Sequence, residues 1–268
     1  MSYKDLDKID GKIDKERIRK KDSNALKVIE SVFDFQTSMV LVKLMNKGIF
    51  EDISFVISTG KEANVYHAYG SKKEEFAIKI YRTTTAEFKR NWIYVQGDPR
   101  FKKYKKGTYS FIYTWAKKEF KNLKRMLKAG IPVPNPEIVN KNILIMSFIG
   151  KKQNAAPLIR EVKLKKPGKV YSEILDILSL MYNKANLVHA DLSEYNILYY
   201  NKKPIIIDVS QAVLLDHPQA AFFLFRDVCN INRYFSSLGV KTLNNSDLFE
   251  QITGVQPNPK LELYEIDR

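Results

Sequence analysis

Val188-His189-Ala190-Asp191-Leu192-Ser193-Glu194-Tyr195-Asn196, followed shortly by Ile205-Ile206-Ile207-Asp208, is the stretch on which the reading of this 268-residue chain turns. An Asp and an Asn five residues apart, then a second Asp closing an apolar run, supply two hard oxygen donors and a proton-accepting carboxylate. That set suits phosphoryl transfer. Asn196 and Asp208 would hold the divalent cation that neutralises a triphosphate, and Asp191 would accept or orient the proton of the attacking nucleophile. A carboxylate at the end of Ile205-Ile206-Ile207 is expensive to bury without a cation, which favours the metal role for Asp208. His189 reads as a brace that hydrogen-bonds the loop rather than as a base.

Upstream, apolar periodicity separates strands from helices. Leu26, Ile29, Val32 and Phe33, then Met39, Val40, Lys43 and Leu44, predict a helical apolar face ending at Gly48, with Asp22 or Ser23 as its cap. Ile53–Ile57, Asn64–Tyr69 and Phe76–Tyr81 read as three strands, the last two joined by a turn at Gly70-Ser71-Lys72-Lys73. Helical patterning returns around Trp115–Leu123 and stops at Gly130. The stiff run Pro132-Val133-Pro134-Asn135-Pro136 then leads to strands near 137–140 and 143–148. Beyond Gly150 the pattern is mainly helical, from Tyr171 to Asn186 and from about His217 to Leu238. The expected division has three parts: 1–48 is a basic tail and helix packed on the N-lobe, 49–147 is that β-rich N-lobe with a basic insert at 82–113, and 148–268 is a helical C-lobe.

Two further elements fit a nucleotide site. Ser58-Thr59-Gly60-Lys61-Glu62-Ala63-Asn64-Val65 occupies the turn between the first two strands, where backbone N–H groups and hydroxyls can cover phosphate. Lys79 lies inside the apolar run Ala77-Ile78-Lys79-Ile80, where an unpaired charge would be costly. It is expected to contact phosphates and to pair with a helix glutamate, best Glu119. These pieces follow one another in the order of a protein-kinase site. The expected fold is therefore α+β and bilobal, protein-kinase-like, with a helical C-lobe truncated after Asp208 and lacking the peptide-docking platform.

Composition limits the partners and compartments. A formal charge of +15 points to polyanions, RNA above all. The insert contributes Arg82, Lys89, Arg90, Arg100, Lys102, Lys103, Lys105 and Lys106 among Phe88, Trp92, Tyr94, Phe101, Tyr104 and Tyr109, a mixture able to follow phosphates and stack on bases. A lone cysteine, Cys229, excludes an intrachain disulfide framework. The charged segment Met1–Lys21 has no apolar core, and no run approaches the ~18 apolar residues of a membrane span. A soluble, cytoplasmic protein is expected.

The Ser-Thr-Gly-Lys-Glu-Ala turn, the His-Ala-Asp-Leu-Ser-Glu-Tyr-Asn loop and Ile-Asp-Val-Ser-Gln-Ala resemble the RIO atypical protein kinases, and most of all the first RIO subfamily. The likeness runs from about Ile49 to about Leu238 and includes Trp115-Ala116-Lys117-Lys118-Glu119-Phe120. It implies ATP with magnesium or manganese, serine/threonine kinase or ATPase activity, and autophosphorylation; Thr108 and Ser110, which lie in the basic insert, are possible acceptors. It also implies a role in maturing the small ribosomal subunit, with the subunit precursor and its rRNA as partners. The resemblance assigns catalysis to Lys79, Glu119, Asp191 and Asp208, with Asp208 also a potential phosphoacceptor. Nucleotide binding falls to Ser58, Thr59, Gly60, Lys61, Glu62, Ala63, Val65 and Lys79, with adenine held at Met146, Ser147 and Ile149. Asn196 and Asp208 would be the metal ligands. Ala190 stands where activated eukaryotic kinases often carry an arginine, and nothing past Asp208 reads as an activation loop ending in Ala-Pro-Glu. Water, the enzyme itself or a ribosomal component is thus expected as acceptor before a free peptide. The other readings are a small-molecule phosphotransferase of the aminoglycoside-kinase type and a non-catalytic RNA-binding scaffold.

Overall fold

The structure is a computed structural model that describes residues 33–83, 91–95, 97–101 and 107–261. The predicted cap at Asp22 or Ser23, the apolar positions 26–32, and Phe88, Lys89, Arg90, Lys102, Lys103, Tyr104, Lys105 and Lys106 lie outside the described residues.

Helix α1 (Phe35–Asn46) starts where Asp34 accepts hydrogen bonds from the backbone N–H and the hydroxyl of Thr37, at 3.0 and 2.7 Å. It ends before Gly48, whose positive φ of 69° only glycine adopts without strain. Its buried face is Val40, Leu41 and Leu44. Met39, expected on that face, is instead exposed (54%) because it points away from the sheet on which α1 packs.

Five antiparallel strands come next, in the order β1-β2-β3-β5-β4: β1 (Asp52–Thr59), β2 (Ala63–Tyr69), β3 (Glu75–Tyr81), β4 (Pro136–Asn140) and β5 (Ile143–Ser147). Strand alternation then assigns two faces. Tyr66, Ala68, Ile78, Ile80, Ile143 and Ile145 meet α1. Val65, Ala77, Lys79 and Met146 lie on the opposite face and line a cleft. Lys79 is thus on an inner strand, opposite Val65 and Leu144, and is only 6% exposed.

The long helix α2 (Thr108–Lys128) begins earlier than the periodicity indicates and takes in the last residues of the expected insert. Thr108 and Ser110 therefore lie in its first turn. The insert aromatics divide: Phe101 is buried with Phe111 and Trp115, Tyr94 is half-buried, and Trp92 and Tyr109 are exposed. Along α2, Trp115, Lys118, Glu119, Asn122, Leu123 and Met126 form one buried stripe at helical spacing. Its N-terminal half packs with Tyr81 and its C-terminal half joins the main core, so one helix touches both halves of the molecule.

After a small hairpin of β6 (Gly150–Lys151) and β7 (Asn154–Ala155), the chain turns helical. Helix α3 (Pro167–Asn183), β8 (Leu187–Val188), the hairpin β9 (Ile197–Tyr200) and β10 (Lys203–Ile206), β11 (Val213–Leu214) and α4 (Ala220–Ser237) succeed it. A further short helix, α5 (Asn245–Thr253), is absent from the sequence reading; only Leu248, Phe249 and Ile252 of it are buried, too short a pattern to register. Asn201 and Lys202 both have positive φ, as the tight β9–β10 turn requires. Past Asp208, β11 pairs with β8 and α4 begins at Ala220, leaving no long activation segment. The architecture is the expected α+β kinase-like plan.

Candidate active site

A cleft of about 840 Å³ separates the sheet from the helical half, a size suited to a nucleotide. The turn Ser58–Ala63 and Val65 line one wall, Met146, Ser147 and Ile149 the back, and Asn196 and Asp208 the floor. Gly60 N–H donates to the Ala63 carbonyl at 3.0 Å, closing the turn, and Asn91 donates to Glu62 Oε1 at 2.8 Å. At the back, Ser147 N–H is bonded to the Asn135 carbonyl and the Ile149 carbonyl to Ala156 N–H, so those two groups are committed inside the protein. The Ser147 hydroxyl accepts from Asn135 N–H at 2.8 Å, which fixes the strand end in the absence of an acidic side chain.

Lys79 is the hub. Its Nζ lies 2.9 Å from Glu119 Oε1 and 2.8 Å from Asp208 Oδ1. Burial alone would lower the lysine's pKa, but the Asp208 and Glu119 charges outweigh it and hold the ammonium well above its ordinary range. Asp208 is opposed by burial too, yet Lys79 keeps it below the usual carboxylate value and hence ionised. Its side chain remains 49% accessible, open to the cleft. Glu119 behaves differently: burial pushes it up to about 7 despite the lysine beside it. The Tyr81 hydroxyl donates to its second oxygen, a partner that sequence reading did not identify.

The loop after β8 carries Asp191 and Asn196 to the same cleft. Asn196 Nδ2 donates to the Asp191 carbonyl at 2.8 Å, which directs the amide oxygen away from that bond. Burial raises the Asp191 carboxyl, with the Arg226 charge opposing. His189 is buried, and its Nε2 donates to the Ile207 carbonyl at 3.2 Å. Burial lowers its pKa to about 4, so it is neutral at physiological pH, as a brace between the Asp191 loop and the strand leading to Asp208. Ala190 holds a φ of 67° and Asp208 one of 55°, left-handed values that non-glycine residues keep only where their surroundings fix them.

The fixing groups for the Asp191 loop come from α4. Asp227 accepts from the backbone N–H of Ala190 and of Leu192, each at 2.8 Å, and the Arg226 guanidinium donates to the Ala190 carbonyl. Burial pushes the Asp227 carboxyl up to about 8. Sequence reading missed both residues, although a charged pair inside Phe223-Leu224-Phe225-Arg226-Asp227-Val228 is a signal, since charges enter an apolar run only with partners. It missed Ser210 as well, whose hydroxyl donates to Asp208 Oδ1 at 3.0 Å.

Sequence comparison places this geometry among relatives. The profile described as the RIO domain matches residues 64–248. Serine/threonine-protein kinase rio1 of Dictyostelium discoideum is 43% identical over 94% of this chain and 44% of its own length. Serine/threonine-protein kinase RIO1 of Homo sapiens is 44% identical over 88% and 42%, and RIO3 of Mus musculus 43% over 84% and 47%. The chain thus spans less than half the length of these curated relatives. Among solved structures, the Rio2 kinase ADP/Mg2+-phosphoaspartate complex from Chaetomium thermophilum superposes with a TM-score of 0.61 at 22% identity, covering 85% of this chain and 70% of that one. That likeness establishes the shared protein-kinase-like fold. Signature, relatives and fold agree, and the chain belongs to the RIO family, in its RIO1-type branch.

Proposed function

We propose that this chain is a RIO-type, ATP-dependent serine/threonine kinase and ATPase that autophosphorylates and acts on the small ribosomal subunit precursor. The carrying observation is the Lys79 ammonium held between Glu119 and Asp208 in a cleft that also receives Asp191 and Asn196. The backbone of Ser58–Ala63 would cover the phosphates, Lys79 would neutralise them, and Met146, Ser147 and Ile149 would border the adenine. Glu119 holds the Lys79 ammonium from the helix side while Asp208 holds it from the cleft floor.

The donor set fits a hard divalent cation. Asp208 is an ionised, cleft-facing carboxylate, and Asn196 offers an amide oxygen, with the remaining ligands expected from phosphate and water. Bound there, magnesium or manganese would neutralise charge on the transferring phosphoryl group. Asp191 orients a hydroxyl or water acceptor and takes up its proton. Acceptors include water, the exposed Thr108 or half-buried Ser110 in the first turn of α2, and Asp208 itself, which as a carboxylate releases no proton. Transfer to Asp208 forms an acyl phosphate and releases ADP, and water then cleaves it to phosphate and the free carboxylate. A phosphoaspartate in the related Rio2 structure supports that path. The excess positive charge and the exposed Trp92 and Tyr109 support an rRNA contact. No helix among the described residues is long and apolar enough to cross a membrane.

Single-turnover cleavage of labelled ATP, with and without small ribosomal subunits, tests the reading. Asp191→Ala should abolish cleavage that wild type performs, and equal cleavage by both proteins would overturn the assignment.

A further inference from the structure

Three polar side chains interrupt the buried stripe of α2, and only Glu119 is accounted for by the cleft. Lys118 is 1% exposed and Asn122 fully buried. Lys118 Nζ lies 2.8 Å from the Ser210 carbonyl and 3.1 Å from that of Gln211. Asn122 Nδ2 donates to the carbonyls of Val209 and Ala212, at 2.8 and 3.2 Å. Together the two side chains engage every carbonyl from 209 to 212, the turn immediately after Asp208.

A buried ammonium and a buried amide in an apolar stripe are unfavourable unless their partners are fixed. The same is true of the left-handed backbone of Asp208. Each requirement meets the other. The Lys118 ammonium itself sits over the Trp115 ring, 4.5 Å from its centroid, a cation–π contact that holds it beside the turn. From there the contacts run to the reactive end of the site: Lys118 holds the Ser210 carbonyl, and the Ser210 hydroxyl holds Asp208 Oδ1.

We infer that Lys118 and Asn122 are positioning residues that lock α2 to the Asp208 turn. They thereby couple the Glu119–Lys79 pair and the metal-binding carboxylate into one preassembled unit. Glu119 sits between them in sequence, so the helix cannot swing out to break its bond to Lys79 without also breaking the four side-chain hydrogen bonds to the 209–212 carbonyls. Assembly of this site accordingly needs no separate activating event, in keeping with the short connection from Asp208 to α4. Methionine matches the lysine stem in length and volume but cannot donate, so Lys118→Met removes the bonds while keeping the packing.

The inference rests on the proposed metal role of Asp208, and the test separates the two. ADP binding is titrated with magnesium for wild type, Lys118→Met and Asn122→Ala, and amide hydrogen exchange is followed in the nucleotide-free proteins. Both variants should weaken the magnesium dependence by about 10–100-fold, as loss of groups supporting metal ligands typically does, with metal-free ADP affinity unchanged. Amides of 209–212 should exchange faster. Replacing Glu119 by Gln should also cost less in the Lys118→Met background than in wild type, because residues acting as a unit are non-additive. Should Lys118→Met fail to fold, Asn122→Ala decides alone. A lowered melting temperature with unchanged magnesium titration and full additivity would reduce both residues to ordinary core groups and overturn the inference. Wild type binding ADP without any magnesium dependence would instead overturn the metal role of Asp208, and the exchange data would still report on the lock.

Discussion

Replacing Asp227 by alanine should destabilise the protein and free the loop that carries Asp191. The wild-type side chain satisfies two buried backbone donors, Ala190 N–H and Leu192 N–H, both at 2.8 Å. Each donor left without a partner costs about 1–3 kcal/mol, which sets a gross loss of about 2–6 kcal/mol. Part of that is returned, because the variant no longer buries a carboxyl group. The net expectation is a loss in the lower half of the range, about 2–4 kcal/mol, against a total stability of about 5–15 kcal/mol. For a chain of this size that corresponds to a drop in melting temperature of at least ~4 °C. The pH dependence has a definite sign. Burial raises the folded-state pKa of Asp227 from 3.8 to about 8, so its favourable contribution is fullest at low pH and declines as pH rises through 8. The deficit of Asp227→Ala relative to wild type should thus be larger at pH 6 than at pH 9. Urea unfolding of both proteins at the two pH values measures it. Coincident unfolding curves, or a deficit that grows with pH, would refute the reasoning.

Two more expectations concern titration. Productive pairing with Lys79 needs Glu119 ionised, and burial raises Glu119 to about 7, so kcat/KM for ATP cleavage should rise with pH through that value. Glu119→Gln should lower the rate and flatten this limb; a limb that persists unchanged would assign it to another group. For His189, the folded pKa of about 4 lies below its ordinary 6.5, so its contribution to stability is present above 6.5 and is lost as pH falls toward 4. His189→Phe should be less stable than wild type at neutral pH by about 1–3 kcal/mol, the cost of an orphaned Ile207 carbonyl. The gap should narrow between pH 6.5 and pH 4 in thermal melts, and a constant gap would contradict the assignment of a neutral buried imidazole.

Strands β1 to β5 were legible because two-residue alternation and turn residues encode them locally, and the charge at Lys79 stood out against Ala77, Ile78 and Ile80. The chemistry of Asp191, Asn196 and Asp208 was legible for a similar reason: the residue types and their spacing survive without coordinates. Less came through where the signal was short or shared. Met39 shares its helix with apolar residues that face inward, and periodicity alone did not separate them. The start of α2 was hidden by a polar first turn without an acidic residue or a side-chain cap.

The sequence by itself determined an ordered set of groups for binding a triphosphate and a cation, on a frame of strands succeeded by helices. Only the tertiary structure decided how those groups are held. Asp227 and Arg226 reach back to Ala190 from 37 and 36 positions away, and Lys118 and Asn122 reach forward to the Asp208 turn across 87 to 93. The physical reason is that hydrogen bonds from side chains to backbone carbonyls and amides carry no signature in the partner's residue type. Any residue other than proline offers the same N–H and C=O, so only their positions in space show which ones a buried charge will find.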